Sequence, residues 1–244
     1  MTTVRVIPLD PDHARVLNIA LIGERRSDRA VDAAWDAMRR ESPALFDGPI
    51  VLVDPPTVSL PTLRGELATY RHAATAGATG RRVRSLGVKG LLLARDRAGA
   101  PHTLVGLRSS STRIYPGLWE LAPAGSVEPP GRGAATITLA AMIETLRVES
   151  NEELGLDLPA SACTPIALID DDQASSVDIL FRCDLAANIE RLPPPCAGHE
   201  IPSSEYAAVQ WVPVGELPGW LRRSADAIAP PTAQIVRWLA DAPG

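Results

Sequence analysis

The 244-residue sequence predicts an α/β (α+β) fold built on a mixed sheet. Short runs rich in β-branched residues recur along its length. Between them lie segments whose apolar residues return at helical spacing. One of these, the longest, follows two glycine-containing loops and stops at Gly155, as a helix does at a C′ glycine.

In chain order, Val4 to Leu9 and Val16 to Ile22 read as strands. Ser27 and Asp28 cap a helix from about Arg29 to Arg40, with Val31, Ala34, Trp35 and Met38 on one side. Ile50 to Val53 is a strand that stops at Pro55-Pro56. Leu63 to Ala74 reads as a helix carrying Leu67 and Tyr70. The small, glycine-containing stretch Ala74–Gly80 is the expected seam between an N-terminal α/β subdomain, residues 1–80, and the rest, residues 81–244. Ser85 to Ala94 and Thr103 to Arg108 form a hairpin around the turn Asp96–Gly99. Leu118–Leu121 leads into the loops Ala122–Ser126 and Pro129–Gly133. The long helix runs from about Ala134 to Leu154 and buries Leu139, Ile143, Leu146 and Leu154, with Ser150 in the same stripe. Cys163 to Leu168, Val177 to Cys183 and Ala207 to Val212 are further strands. Glu216 to Trp220 and Ile228 to Ala240 are terminal helical pieces.

A net charge of −5 supplies no global basic field for nucleic acid or anionic lipid. A phosphate-bearing small molecule would therefore need local neutralisation by a metal and arginine. The three cysteines, Cys163, Cys183 and Cys196, have no CxxC spacing, which argues against a zinc site or a disulfide framework and suits a reducing cytoplasm. They read as small buried hydrophobes. No signal peptide or spanning segment is expected. Lys89, the sole lysine beside abundant arginine, reads as genomic composition bias.

Glu149, Glu152 and Glu153 are spaced i, i+3, i+4, which puts three carboxylates on one helical face. Like charges so close repel. A hard divalent cation, Mg²⁺ or Mn²⁺, turns that repulsion into a binding site, because it takes several oxygen ligands.

The order of loop, helix, acidic turn and glycine resembles the Nudix box, whose pattern is G-x5-E-x7-R-E-U-x-E-E-x-G-U with U aliphatic. Gly125 falls at the first glycine and Glu149 at the glutamate of the Arg-Glu pair. Glu152 and Glu153 fall at the Glu-Glu pair, Gly155 and Leu156 at the close. Gly117-Leu-Trp-Glu-Leu-Ala-Pro-Ala-Gly125 resembles the usual approach to that box, and Glu205 to Trp211 a late segment whose glutamate reaches the metal. The resemblance spans about Leu86 to Trp220. It departs from the pattern at Val148, where the arginine belongs, with Arg147 one position early, and at Ser150 in place of an aliphatic. Gly125 to Glu149 covers 24 positions rather than 15, and the box's first glutamate is lost, with Glu128 near but off register.

What the resemblance implies is an α/β/α sandwich that hydrolyses a nucleoside diphosphate linked to another moiety. Mg²⁺ or Mn²⁺ would be held by Glu149, Glu152, Glu153 and the carbonyl of Gly125 or Ala124. Glu152 and Glu205 are the catalytic candidates, Glu205 as an extra ligand or as the base for the attacking water. Arg108 would touch phosphate through its bidentate fork. Ala44 to Val53 and Leu67 to Arg71 also resemble the N-terminal region of the animal UDP-glucose/UDP-galactose pyrophosphatases. That favours a UDP-sugar cut to UMP and sugar 1-phosphate, with Tyr70 and Arg71 as substrate contacts. The other readings are a Nudix hydrolase of ADP-ribose, a dinucleotide or coenzyme A, and a non-catalytic nucleotide-binding module. A homodimer is compatible with all of them. Trp119 and Trp211 read as core, and His199 as a loop histidine or a general base.

Overall fold

The computed structural model describes residues 3–131, 133–192 and 205–241. His199 and Cys196 lie outside them. The first half of the chain contributes β1 (Val4–Pro8), α1 (Pro11–Arg15), β2 (Asn18–Glu24), α2 (Arg29–Glu41), β3 (Pro49–Val53), β4 (Thr62–Thr69), α3 (Tyr70–Ala74) and α4 (Ala76–Thr79). Then come β5 (Arg84–Arg95), β6 (Pro101–Arg108), β7 (Trp119–Leu121), β8 (Ala124–Ser126), β9 (Thr136–Thr138) and α5 (Leu139–Leu154). The chain closes with β10 (Cys163–Asp171), β11 (Ser176–Asn188), β12 (Tyr206–Pro213), α6 (Leu217–Arg223) and α7 (Pro230–Asp241).

All the described strands join one mixed sheet with β5 as its hub. β5 pairs in parallel with β11, with Val88 opposite Ile179, and antiparallel with β3, β6 and β8. β10 separates β11 from the edge strand β1. On the other side the order runs β3, β4, β2, β9. The pairings β1–β10, β3–β5 and β2–β9 each join a strand before Gly80 to one after it.

Strand alternation supplies two apolar layers. Leu86, Val88 and Leu92 of β5, Leu168 of β10, and Ile179 and Phe181 of β11 pack with Met142 and Leu146 of α5. The intervening residues Leu91, Ala167, Ile169 and Leu180 pack with Trp220 of α6 and with Ile235 and Val236 of α7. The sheet is thus covered by helix on both faces. Met142 and Leu146 are fully buried, and burial of each side chain stabilises the sandwich by about 2 kcal/mol.

Three segments differ from the expectation. Leu63 to Thr69 is strand, not helix. It lies between β2 and β3, and Gly65 lets it do so: a Cβ there would stand 2.6 Å from Ile19 Cγ2. The long helix begins at Leu139, because Thr136–Thr138 pairs with β2 and Ile137 is buried in the core. Thr138 then caps the helix, accepting from the Ala141 N–H at 3.3 Å. Part of the expected loop Ala122–Ser126 is the strand β8, which pairs with β5 and brings Gly125 beside α5. At the expected seam, α3 and α4 end on Gly80, whose φ of 65° is left-handed.

Candidate functional site

The last turns of α5 are clamped from three directions. Gly155 adopts φ 65° and its N–H bonds to the Asn151 carbonyl at 2.9 Å. The buried Ser150 Oγ donates to the Leu156 carbonyl at 3.0 Å. Arg147 Nε donates to the Leu158 carbonyl at 2.7 Å, while its Nη1 pairs with Glu144 at 2.6 Å. Ser150, which stands in place of an aliphatic, and Arg147, one position early, therefore hold the chain leaving the helix.

The clamped turn separates the three glutamates. Glu153 is only 2% exposed, Glu149 is half-buried, and Glu152 lies on the exposed flank. Glu153 Oε2 accepts from the Ala124 N–H at 3.2 Å. Among the described residues its Oε1 is buried without a hydrogen-bond donor. Its acidic neighbour is Glu205, immediately before β12, whose carboxyl hydrogen-bonds with that of Glu153. Burial, then the bond to Glu205 and the charges of Glu205 and Glu149, push Glu153 up to about 10. Burial, then the charges of Glu205, Glu152 and Glu128, push Glu149 up to about 7. Glu149 folds against the bare backbone of Gly125, where an added Cβ would stand 1.9 Å from its Oε1.

Among the described residues no three His, Cys, Asp or Glu side chains converge as in a formed metal centre. The donor set nevertheless fits a hard divalent cation. Carboxylates are held together at a cost in protonation, one buried oxygen lacks a donor, and the bare Cα of Gly125 leaves room for Glu149 alongside.

A cavity of about 470 Å³ opens beside this cluster and brings together Glu149, Gly125, Glu205, Arg108 and Tyr70. Glu152 and Glu153 are not among its lining residues. Arg108 is held by the Ile114 carbonyl at 2.8 Å and by Glu120. Glu120 is buried and also accepts from Lys89 Nζ at 2.7 Å. Burial alone would raise the Glu120 carboxyl, but Lys89 and Arg108 outweigh it and hold it low. Tyr70 packs edge-on to Trp35, its ring lies 5.4 Å from the Arg113 guanidinium, and its hydroxyl accepts from Arg113 Nε. Arg71 is turned elsewhere: its backbone N–H bonds to Asp47 at 2.8 Å, and its guanidinium pairs with Asp47 and Asp32. Asp47, in the segment read as a substrate-binding resemblance, thus ties α3 rather than facing the cavity.

Among the lining residues that escaped the sequence reading are Lys89, Glu120, Asp178 and Tyr115. Asp178 fills the space a side chain at Gly87 would take, its Oδ1 2.2 Å from an ideal Cβ, with the Gly125 carbonyl 3.2 Å from the same point. Burial, opposed by Lys89 and reinforced by Asp171 and Glu120, pushes Asp178 up to about 7. Tyr115, at φ 54°, donates to Asp171 at 2.7 Å. The available signal was an ionisable residue inside an apolar strand: the sole lysine in β5, Glu120 in β7, and Asp178 between Val177 and Ile179.

No family model matches the sequence, and no curated protein matches it. Among solved structures, the chain is similar to the Nudix domain of Shewanella oneidensis NrtR complexed with ADP ribose, at 15% identity and TM-score 0.44, over 64% of this chain and 86% of that one. It is similar to a Nudix hydrolase from Alicyclobacillus acidocaldarius at 12% identity and TM-score 0.42, over 65% and 92%. For the MutT protein of Methanosarcina mazei Go1 the figures are 18% and 0.40, over 64% and 91%.

Proposed function

We propose that this chain is a Nudix-type, divalent-metal-dependent hydrolase that cleaves the diphosphate of a nucleoside diphosphate linked to another moiety. The observation that carries the reading is the buried Glu153 carboxyl, packed behind Glu205 and Glu149, which themselves line a cavity sized for a small molecule. Bound Mg²⁺ or Mn²⁺ would neutralise the diphosphate and acidify water. Glu149, Glu153 and the Gly125 carbonyl would hold it, with Glu152 assisting from the exposed flank.

Glu205 lines the cavity and takes the proton from the attacking water, with Glu153 as its proton-sharing partner. Arg108, aligned by Glu120, contacts the phosphate. Tyr70 offers a ring in the cavity lining. Residues 1–80 act as an N-terminal subdomain that adds Tyr70 to the cavity, and residues 81–244 form the hydrolase domain. Within this class the UDP-sugar reading is retained as the first substrate to test.

The test is incubation with Mg²⁺ or Mn²⁺ and UDP-sugars, ADP-ribose, a dinucleoside polyphosphate and coenzyme A, followed by detection of the nucleoside monophosphate. UMP release that disappears in Glu153→Gln supports the full reading. Release from ADP-ribose alone replaces the substrate. Metal binding without any product means that the altered box binds a nucleotide and does not cut it.

A further inference from the structure

Cys163 and Cys183, twenty residues apart, stand directly opposite each other on β10 and β11. Their sulfurs are 3.5 Å apart, with Cys183 Sγ donating to Cys163 Sγ. Both are free thiols. Directly paired residues on antiparallel strands have Cα atoms about 4.5 or 5.5 Å apart, and both spacings lie within the range that a disulfide spans. Closing the bond needs only a small approach of the two Cβ atoms, since cross-strand Cβ separations of about 4.5–5.5 Å slightly exceed those of a relaxed disulfide.

The two thiols differ in access. Cys183 is fully buried, whereas Cys163 is 8% exposed and lines a second cavity of about 600 Å³, mainly apolar, with Leu9, Leu139, Pro165 and Trp238. A small uncharged oxidant can enter such a space. The hydrogen bond from Cys183, opposed by burial and aided by Arg147, lowers the Cys163 thiol, while Cys183 is pushed up by that bond and by burial.

We propose that Cys163 and Cys183 form a peroxide-responsive dithiol that closes to a reversible cross-strand disulfide, Cys163 reacting first. The Cys163 thiolate attacks one peroxide oxygen, the O–O bond breaks, and hydroxide leaves and takes up the proton that the Cys163 thiol had released, giving water and a sulfenic acid at Cys163. The Cys183 sulfur then attacks the Cys163 sulfur and expels hydroxide, which takes up the Cys183 proton as a second water. The two thiols lose two electrons and hydrogen peroxide gains them. A slightly strained cross-strand bond is readily reduced, so a dithiol reopens it.

The test uses the full chain, reduced, treated with hydrogen peroxide, then denatured and alkylated. Trypsin places the three cysteines on separate peptides, 148–182, 183–191 and 192–222. The expected result is loss of two alkylatable thiols and a link between the first two peptides, reversed by dithiothreitol and unchanged in Cys196→Ser. Cys183→Ser should trap sulfenic acid at Cys163, detectable with dimedone. Cys163→Ser should leave Cys183 reduced. Two fully alkylatable thiols after peroxide, a link that involves Cys196, or sulfinic acid at Cys163 in the unmutated chain would each overturn the proposal. Oxidation of Cys183 in Cys163→Ser would overturn the order of reaction.

Discussion

Gly125→Ala is the sharpest perturbation of the carboxylate site. A Cβ at this position would stand 1.9, 2.1 and 2.4 Å from Oε1, Cδ and Cγ of Glu149, where ordinary contacts begin near 3.4 Å. The outer half of Glu149 must therefore move by more than an ångström, away from the Gly125 backbone. Gly125 has no left-handed φ, so alanine adds no backbone strain, and the departing carboxylate escapes its acidic neighbours. Stability without metal should change by less than about 1 kcal/mol. A cation at 100 times its Kd stabilises the parent by about 2.7 kcal/mol, a melting shift of roughly 5–10 °C for a chain of this size. In Gly125→Ala that shift should vanish, and hydrolysis should fall by about a hundredfold. A variant that keeps both the Mn²⁺-induced shift and its turnover would refute the placement of metal between Glu149 and Gly125.

Other outcomes follow from the same geometry. The folded-state pKa of Glu149 is raised from 4.5 to about 7, so the folded protein keeps a proton that the unfolded chain gives up. The contribution of Glu149 to metal-free stability should be full below the ordinary glutamate range and fall as pH climbs toward about 7, by roughly 1–2 kcal/mol once solvent screening is allowed for. Urea midpoints at pH 5 and pH 8 read this directly, and a midpoint that rises with pH would contradict it. Glu120→Gln strips the anion from buried Lys89 and from Arg108, with an expected loss of about 3–5 kcal/mol in chemical denaturation; a loss under about 1 kcal/mol would mean that water already serves these cations. Arg71→Ala should leave kcat/KM for the substrate unchanged and cost about 1 kcal/mol or less, since its partners are Asp47 and Asp32; a raised KM would return Arg71 to the substrate.

The sequence makes α5 and its acidic turn readable because a local signal, periodicity closed by Gly155, coincides with the tertiary one. Arg108 and Glu205, far apart in the chain, reach the same cavity because β6 and β12 pair, with Tyr206 opposite Arg108. Leu63–Thr69 reads as the start of a helix because its propensities are ambiguous; its conformation is decided by β2 and β3, distant partners that no local window contains. Lys89, Glu120 and Asp178 were missed for a similar reason. Each is one charged residue in a strand, and only strand pairing reveals that they share a chamber. The pairing of Arg71 with Asp47 and Asp32 is equally invisible in the spacing.

The placement of the glutamates near the end of α5 has a consequence for cation affinity. Helix α5 stops at Leu154 and carries no basic residue in its last turn. The aligned peptide dipoles leave about half a negative charge at that end, where helices usually prefer lysine or arginine. Glu149 and Glu153 place carboxyls at this pole that become full negative charges when a cation displaces their protons. An arriving cation is therefore attracted by the backbone as well as by the carboxylates, through a contribution that no side-chain substitution removes. A lysine introduced at exposed Asn151 would oppose that pole and weaken cation binding without touching a single ligand.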